Sequence, residues 1–181
     1  MPRFSLDLKT DILFLAWMMI LLFIPLLSAN GRFLQNWVVT VLGYPLAAAM
    51  IFVALAAVVG GALWLLHKQG QVLPVKHLVW MLPLFLFAPL FFHRVEERLH
   101  FLVFGVFGAL SMLVYQPRRA FAFCLAVAFG DELLQYYLPD RVGDWRDVAM
   151  NSVASFAAAF FVLTSFVRPS KLAINKSRFP Q

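Results

Sequence analysis

GDELLQYYLPDRVGDWRDVAMN, residues 130–151, carries two adjacent carboxylates, Asp131 and Glu132, more than half-way along an apolar run that begins at Ala120. An ionised acid inside hydrocarbon costs at least a few kcal/mol on insertion scales, so such residues face a polar cavity or a partner and mark function by default. The apolar run is long enough for a membrane helix, and its acids have to be turned away from lipid. Every other segment of the chain must be arranged around them.

Working outward, 62% of the 181 residues are hydrophobic, 13% are charged, and the mean hydropathy is +0.82, beyond the range of a soluble domain. The chain is therefore an integral membrane protein, and its charges fall in short clusters between apolar segments. Six crossings are expected, over residues 12–28, 44–66, 78–92, 101–115, 120–138 and 148–167, in an all-α, multi-pass transmembrane bundle. The third and fourth are short for a core about 30 Å thick. Pro83 and Pro89 interrupt the third, which is expected to be kinked or partly re-entrant, with five crossings as the alternative count. Asp7 and Asp11 sit in the n-region of the first segment and no small-x-small site precedes a soluble mature domain, so it reads as a retained anchor rather than a cleaved signal. The bundle is expected to occupy residues 1–168, followed by a basic tail over residues 169–181. The one cysteine, Cys124, excludes an intramolecular disulfide.

Basic residues set the expected orientation. Arg3, Lys9, Lys68, Lys76, Arg118, Arg119, Arg168, Lys171, Lys176 and Arg178 fall on one side of a six-crossing chain, against Arg32, Arg94, Arg98, Arg141 and Arg146 on the other. Both termini are thus expected in the cytoplasm, and the loop after residue 138 outside. The net charge of +6 comes mainly from cytoplasmic flanks that suit anionic lipid headgroups. Membrane lipids are the expected partners, and nothing calls for nucleic acid.

Three helix ends then converge on the outer side. Glu96 and His100 are four apart and Glu97 and His100 three apart, so one carboxylate shares a helix face with the imidazole. Gln135 follows Asp131 by four residues and Glu132 by three. Asp147 and Asn151 repeat the four-residue spacing after a tight loop containing Pro139, Asp140, Arg141, Gly143 and Asp144, from which Arg141 can fold back over the acids. The proposed pocket is Glu97, His100, Asp131, Glu132, Gln135, Arg141, Asp144, Asp147 and Asn151.

Plainer roles compete for each of these residues. Asp144 suits an N-cap and Asp147 a first helical turn answering the macrodipole. Glu96 and Glu97 read most simply as solvated loop charges beside Arg94 or Arg98, and His67, His77 and His93 as interfacial. Asp131, Glu132 and Gln135 have as their alternative a buried network that fixes helix packing without chemistry. Covalent catalysis has little support, because Cys124 lies about 10 Å from Asp131 along its helix and Ser152 and Ser155 have no evident base. One His among carboxylates is a poor zinc set, and Arg141 opposes a hard cation, so no metal or cofactor is expected. An acid, base and amide cluster remains, in which headgroup binding and acid-base chemistry look alike.

At these residues the chain resembles the VanZ-like family of bacterial membrane proteins. The family pattern pairs an acid and a His with a Tyr four residues on, then Asp-Glu-x-x-Gln, a Pro-x-Arg loop, an Asp-x-x-Asp step and a helix-opening Asn. Glu97 and His100, then Asp131, Glu132 and Gln135, then Pro139 and Arg141, then Asp144, Asp147 and Asn151 match it over residues 96–161, while the first two segments contribute only hydrophobicity. Phe104 stands where the Tyr is usual and Ala154 where a Gly is common, so a site hydroxyl and a close helix contact are expected to be missing. The resemblance implies a multi-pass bundle in the bacterial cytoplasmic membrane and, for some members, lowered teicoplanin susceptibility, with no mechanism to carry over. The resulting expectation is an outward pocket for a polar headgroup of a lipid or lipid-linked envelope precursor. The alternative is a non-catalytic accessory subunit packed beside a larger membrane complex.

Overall fold

The computed structural model describes residues 8–68, 80–81, 83–91, 95–139, 141 and 143–165. Within them lie five α-helices: α1 (Leu8–Leu42), α2 (Tyr44–Lys68), α3 (Val95–Val114), α4 (Pro117–Tyr137) and α5 (Trp145–Ser165). The protein is an all-helical, multi-pass membrane bundle. Four stretches, Asp11–Leu42, Tyr44–Gly61, Glu97–Val114 and Trp145–Ser165, are long and apolar enough to cross a membrane. The 21 residues of α4 match them in length, about 30 Å at 1.5 Å per residue. Its mean apolarity is lowered by Arg118 and Arg119, which are exposed at one end, and by Asp131 and Glu132, which are turned into the bundle.

Two boundaries differ from those read in the sequence. The first helix does not end at Ser28: it runs 35 residues to Leu42. Beyond Ser28 the apolar residues resume with Phe33, Leu34, Trp37 and Val38, and the side chains of Asn30 and Thr40 bond back to the carbonyls of Leu26 and Asn36. The lone Gly31 is tolerated within the helix, which ends at Gly43, whose φ of 77° lies in the left-handed region that glycine enters without steric cost. The fourth crossing is likewise fuller than expected, because α3 starts at Val95 and takes in the charged residues 96–98, making 20 residues. Glu97 is therefore a half-buried helix residue rather than a loop charge. As the prolines imply, the third segment is irregular, a π-turn over Pro83–Phe87 followed by a 3-10 turn over Ala88–Phe91. The proposed tail, Asp140, His77 and His93 lie outside the described residues.

α3 is the central element, packing most extensively on α5 and next on α1. The reason is visible at Gly108, where a Cβ would sit 2.0 Å from the carbonyl oxygen of Ser155. Backbone meets backbone there, the close approach that small residues permit between membrane helices, where packing rather than hydrophobic burial drives association. Ser111, Ala154, Ser155 and Ala159, all fully buried, are equally small. The close contact expected to be lost with Ala154 is thus supplied by Gly108 on the opposing helix. Phe85 of the irregular segment lies over Gly105, 3.1 Å from the position of its missing Cβ.

Pairwise contacts give the directions. Trp17 packs on Tyr115 and Phe123, with centroids 5.0 and 5.4 Å away, and donates its indole N–H to Ser111 Oγ at 2.9 Å. At the other end Ser28 meets Asp131, so α1 and α4 run parallel. Phe121 pairs with Phe156, while Glu132 meets the backbone of Asp144, so α4 and α5 are antiparallel. The beginning of α1 and the end of α5 consequently share the aromatic end of the bundle, and the acids occupy the opposite end.

Candidate functional site

Asp131, Glu132 and Gln135 fall on the inward stripe of α4 together with Ala128 and Cys124, and all five are buried. The Gln135 amide is the junction of the cluster. Its Nε2 donates to Asp131 Oδ2 at 3.1 Å and to Glu132 Oε1 at 3.3 Å, while its Oε1 accepts from Arg141 Nη2 at 3.0 Å. An amide suits that place because it offers donors to two carboxylates and an acceptor to a guanidinium at once.

Arg141 folds back over the acids from the loop, and its guanidinium rests against α1 at Gly31, where a Cβ would stand 3.6 Å from Nη1. Asp131 receives a second hydrogen bond at Oδ1 from the hydroxyl of Ser28. His100 Nδ1 lies 3.9 Å from Asp131 Oδ2, an ion-pair distance when the imidazole is protonated. Asp131 is thus surrounded by groups from three helices, consistent with the rule that buried charge must be paired or hydrogen-bonded.

Glu132 is held differently. Its Oε2 accepts the backbone N–H of Asp144 at 3.0 Å, which draws the loop onto α4. Gly143 completes that contact, since a Cβ there would lie 2.8 Å from the Glu132 carbonyl oxygen. Asp144 then caps α5: its Oδ1 accepts from Arg146 N at 3.0 Å, and its carbonyl accepts from the N–H groups of Asp147 and Val148. Asp147 lies half-buried in the first turn that follows.

On the far side of Glu132 a cleft of about 320 Å³ opens between α4, the loop and the start of α5. Phe129, Glu132, Leu133 and Tyr136, at helical spacing i, i+3, i+4 and i+7, form one wall, and Asp144 and Trp145 belong to the other. Glu132 therefore belongs both to the buried network and to the cleft.

The structure joins Asp131, Glu132, Gln135, Arg141 and Asp144 by direct hydrogen bonds and brings His100 to the edge of the group. Glu97 Oε2 is buried and has no hydrogen-bond partner among the described residues. The same holds for Oδ1 and Nδ2 of Asn151, a fully buried side chain. Among the described residues no three His, Cys, Asp or Glu side chains gather closely enough to hold a metal ion. Sequence reasoning misses Ser28 and Gly31, because the first segment reads as hydrophobic only. Their signal is the small, polar run Ser28–Ala29–Asn30–Gly31 interrupting an otherwise apolar helix. It also misses the cleft aromatics Phe129, Tyr136 and Trp145, which sequence alone cannot separate from lipid-facing rings.

A family model described as VanZ/LLP1 matches residues 11–167, which includes α1 and α2 as well as the motif region. Neither a curated protein nor a solved structure matches the chain.

Proposed function

The chain belongs to the VanZ/LLP1 family, and on that premise we propose that it works in the bacterial cytoplasmic membrane as a receptor for the polar headgroup of a lipid or lipid-linked envelope precursor. In this reading both termini are cytoplasmic and the acid end of the bundle faces outward, as the distribution of basic residues favours. The observation that carries the proposal is the double membership of Glu132. A carboxylate only 5% exposed is fixed by Gln135 and the Asp144 N–H, yet it also lines an open cleft. A network serving only to hold helices together has no need of a cleft beside its acid, whereas a binding site needs both a rigid polar group and access to it.

The chemistry available is hydrogen bonding and charge recognition by Glu132 and Asp144, with Arg141 and Gln135 holding Glu132 in place. Asp131 is engaged by Ser28, Gln135 and His100 and serves as a positioning residue.

The test is native mass spectrometry of the full-length protein released from its own membrane. Wild type is expected to retain one headgroup class, and Glu132→Gln to lose it while melting near wild type. Retention of the same lipids by Glu132→Gln and by Asp144→Asn would overturn the proposal.

A further inference from the structure

We propose that the cleft beside Glu132 is a site for an organic ammonium group. The assignment rests on the headgroup reading and names the chemistry of the part that enters. Among the described residues, the walls combine aromatic faces with carboxylates and contain no Lys, Arg or His. Phe129 and Trp145 face each other from α4 and α5 with centroids 5.8 Å apart and planes inclined at 42°. Tyr136, one turn beyond Glu132, adds a third ring, and it and Trp145 are 70% and 74% exposed.

Rings at a membrane surface often form only an interfacial belt. A belt does not require acids. Here Glu132 and Asp144 lie on the same cleft, and each carboxylate retains acceptor sites beyond the backbone hydrogen bond it accepts and, for Glu132, the further one from Gln135. Aromatic faces are negative and attract a desolvated cation. Rings and acids together therefore select an ammonium, primary or quaternary, over an anion. The cleft's volume, about 320 Å³, lies at the lower end of small-molecule pockets, which suits a headgroup fragment rather than a large ligand.

The experiment is saturation-transfer NMR on the methyl protons of tetramethylammonium, titrated onto the full-length protein in deuterated detergent, with tert-butanol as the neutral probe. Saturable tetramethylammonium binding is expected, about two- to fivefold weaker in Trp145→Ala and largely kept in Trp145→Phe, in line with one cation–π contact on an exposed ring. Trp145 is exposed, so unchanged melting of Trp145→Ala checks that the variant folds.

Equal binding of tert-butanol, or tetramethylammonium binding indifferent to Trp145→Ala, would overturn the proposal. Repeating the titration in phosphatidylglycerol nanodiscs with and without phosphatidylethanolamine distinguishes the sources. Competition by phosphatidylethanolamine assigns a lipid amine, and unchanged binding assigns a free ammonium, both within the proposal. Saturable binding of glycerol phosphate with silence toward tetramethylammonium would overturn the ammonium assignment and leave the headgroup reading standing. Silence toward both probes, with no retained lipid, would overturn the two together.

Discussion

Ser28 on α1 donates its hydroxyl to Asp131 on α4, 103 residues further along the chain. Both side chains are buried, and the contact ties the first helix to the acid end of the bundle. Removing a hydrogen bond to a buried carboxylate costs about 1.5–3 kcal/mol. Ser28→Ala is therefore expected to lower the melting temperature in detergent while Ser28→Thr, which keeps the hydroxyl, loses less. Equal melting of Ser28→Ala and wild type would show that the bond contributes nothing to stability.

The contact between Gly108 and Ser155 should be the least tolerant point of the fold. A Cβ at 108 would lie 2.0 Å from a backbone oxygen, and backbone cannot step aside as the end of a flexible side chain can. Overpacking a tight core costs about 1–3 kcal/mol and occasionally more. Gly108→Val is expected to reduce the yield of folded protein sharply, with Gly108→Ala intermediate. Gly60→Ala is the control, since among the described residues nothing beyond its own helical neighbours comes within 4 Å of a Cβ there. Thermal melting of the three variants side by side checks the order.

How much of this was legible in the sequence depends on the residue. Membrane class, helix number and the broken third segment follow from apolar length and from Pro83 and Pro89. The link from Asp131 through Gln135 to Arg141 follows from helical spacing and a loop that must reverse direction. Ser28 and Gly31 were hidden because a membrane helix is recognised by its average, and two small residues scarcely alter an average. The pairing of Gly108 with Ser155 was hidden for another reason: it depends on how two helices cross, and nothing local to either of them specifies that.

Asn151 presents a different case. Its side chain is fully buried, and neither polar atom has a hydrogen-bond partner among the described residues. α3 meets α4 at His100–Asp131 and at Tyr115–Phe123, so it runs antiparallel to α4 and parallel to α5, and one turn back from the Gly108–Ser155 contact Phe104 and Asn151 come to the same level. Phe104 occupies the position where the family pattern places Tyr, and a hydroxyl at that level would offer Asn151 a partner. Leaving a buried polar group unsatisfied costs about 1–3 kcal/mol. Phe104→Tyr and Asn151→Leu are both expected to melt at or above wild type. A large drop in Asn151→Leu would reveal that Asn151 holds a bound molecule essential to the fold.

Orientation is open to direct labelling. Arg146 is exposed at the acid end of the bundle, and Lys176 belongs to the basic tail. In a Cys124→Ser background, a cysteine at position 146 is expected to react with a membrane-impermeant reagent in intact cells, and one at 176 only after lysis. Labelling at 176 in intact cells would reverse the proposed orientation.

The two adjacent acids should part company when neutralised. Asp131 accepts from Ser28 at one oxygen and from Gln135 at the other, with His100 beside the latter. An amide at 131 can accept from Gln135 with its oxygen and donate to the Ser28 hydroxyl with its NH₂, but both bonds lose their charge assistance and the negative charge beside His100 is gone. Glu132 makes fewer demands. An amide at 132 can turn its oxygen to the Asp144 N–H and its NH₂ into the cleft, away from the donating Nε2 of Gln135, and burying a neutral amide relieves the cost of burying a charge. Asp131→Asn is therefore expected to melt well below wild type. Glu132→Gln is expected to melt close to it and to lose headgroup retention. Melting curves and lipid retention, measured on the same preparations, check both halves. If the order of melting is reversed, Glu132 is the structural acid and the division of roles falls. If both variants melt like wild type and keep their lipids, neither acid serves the fold or the site.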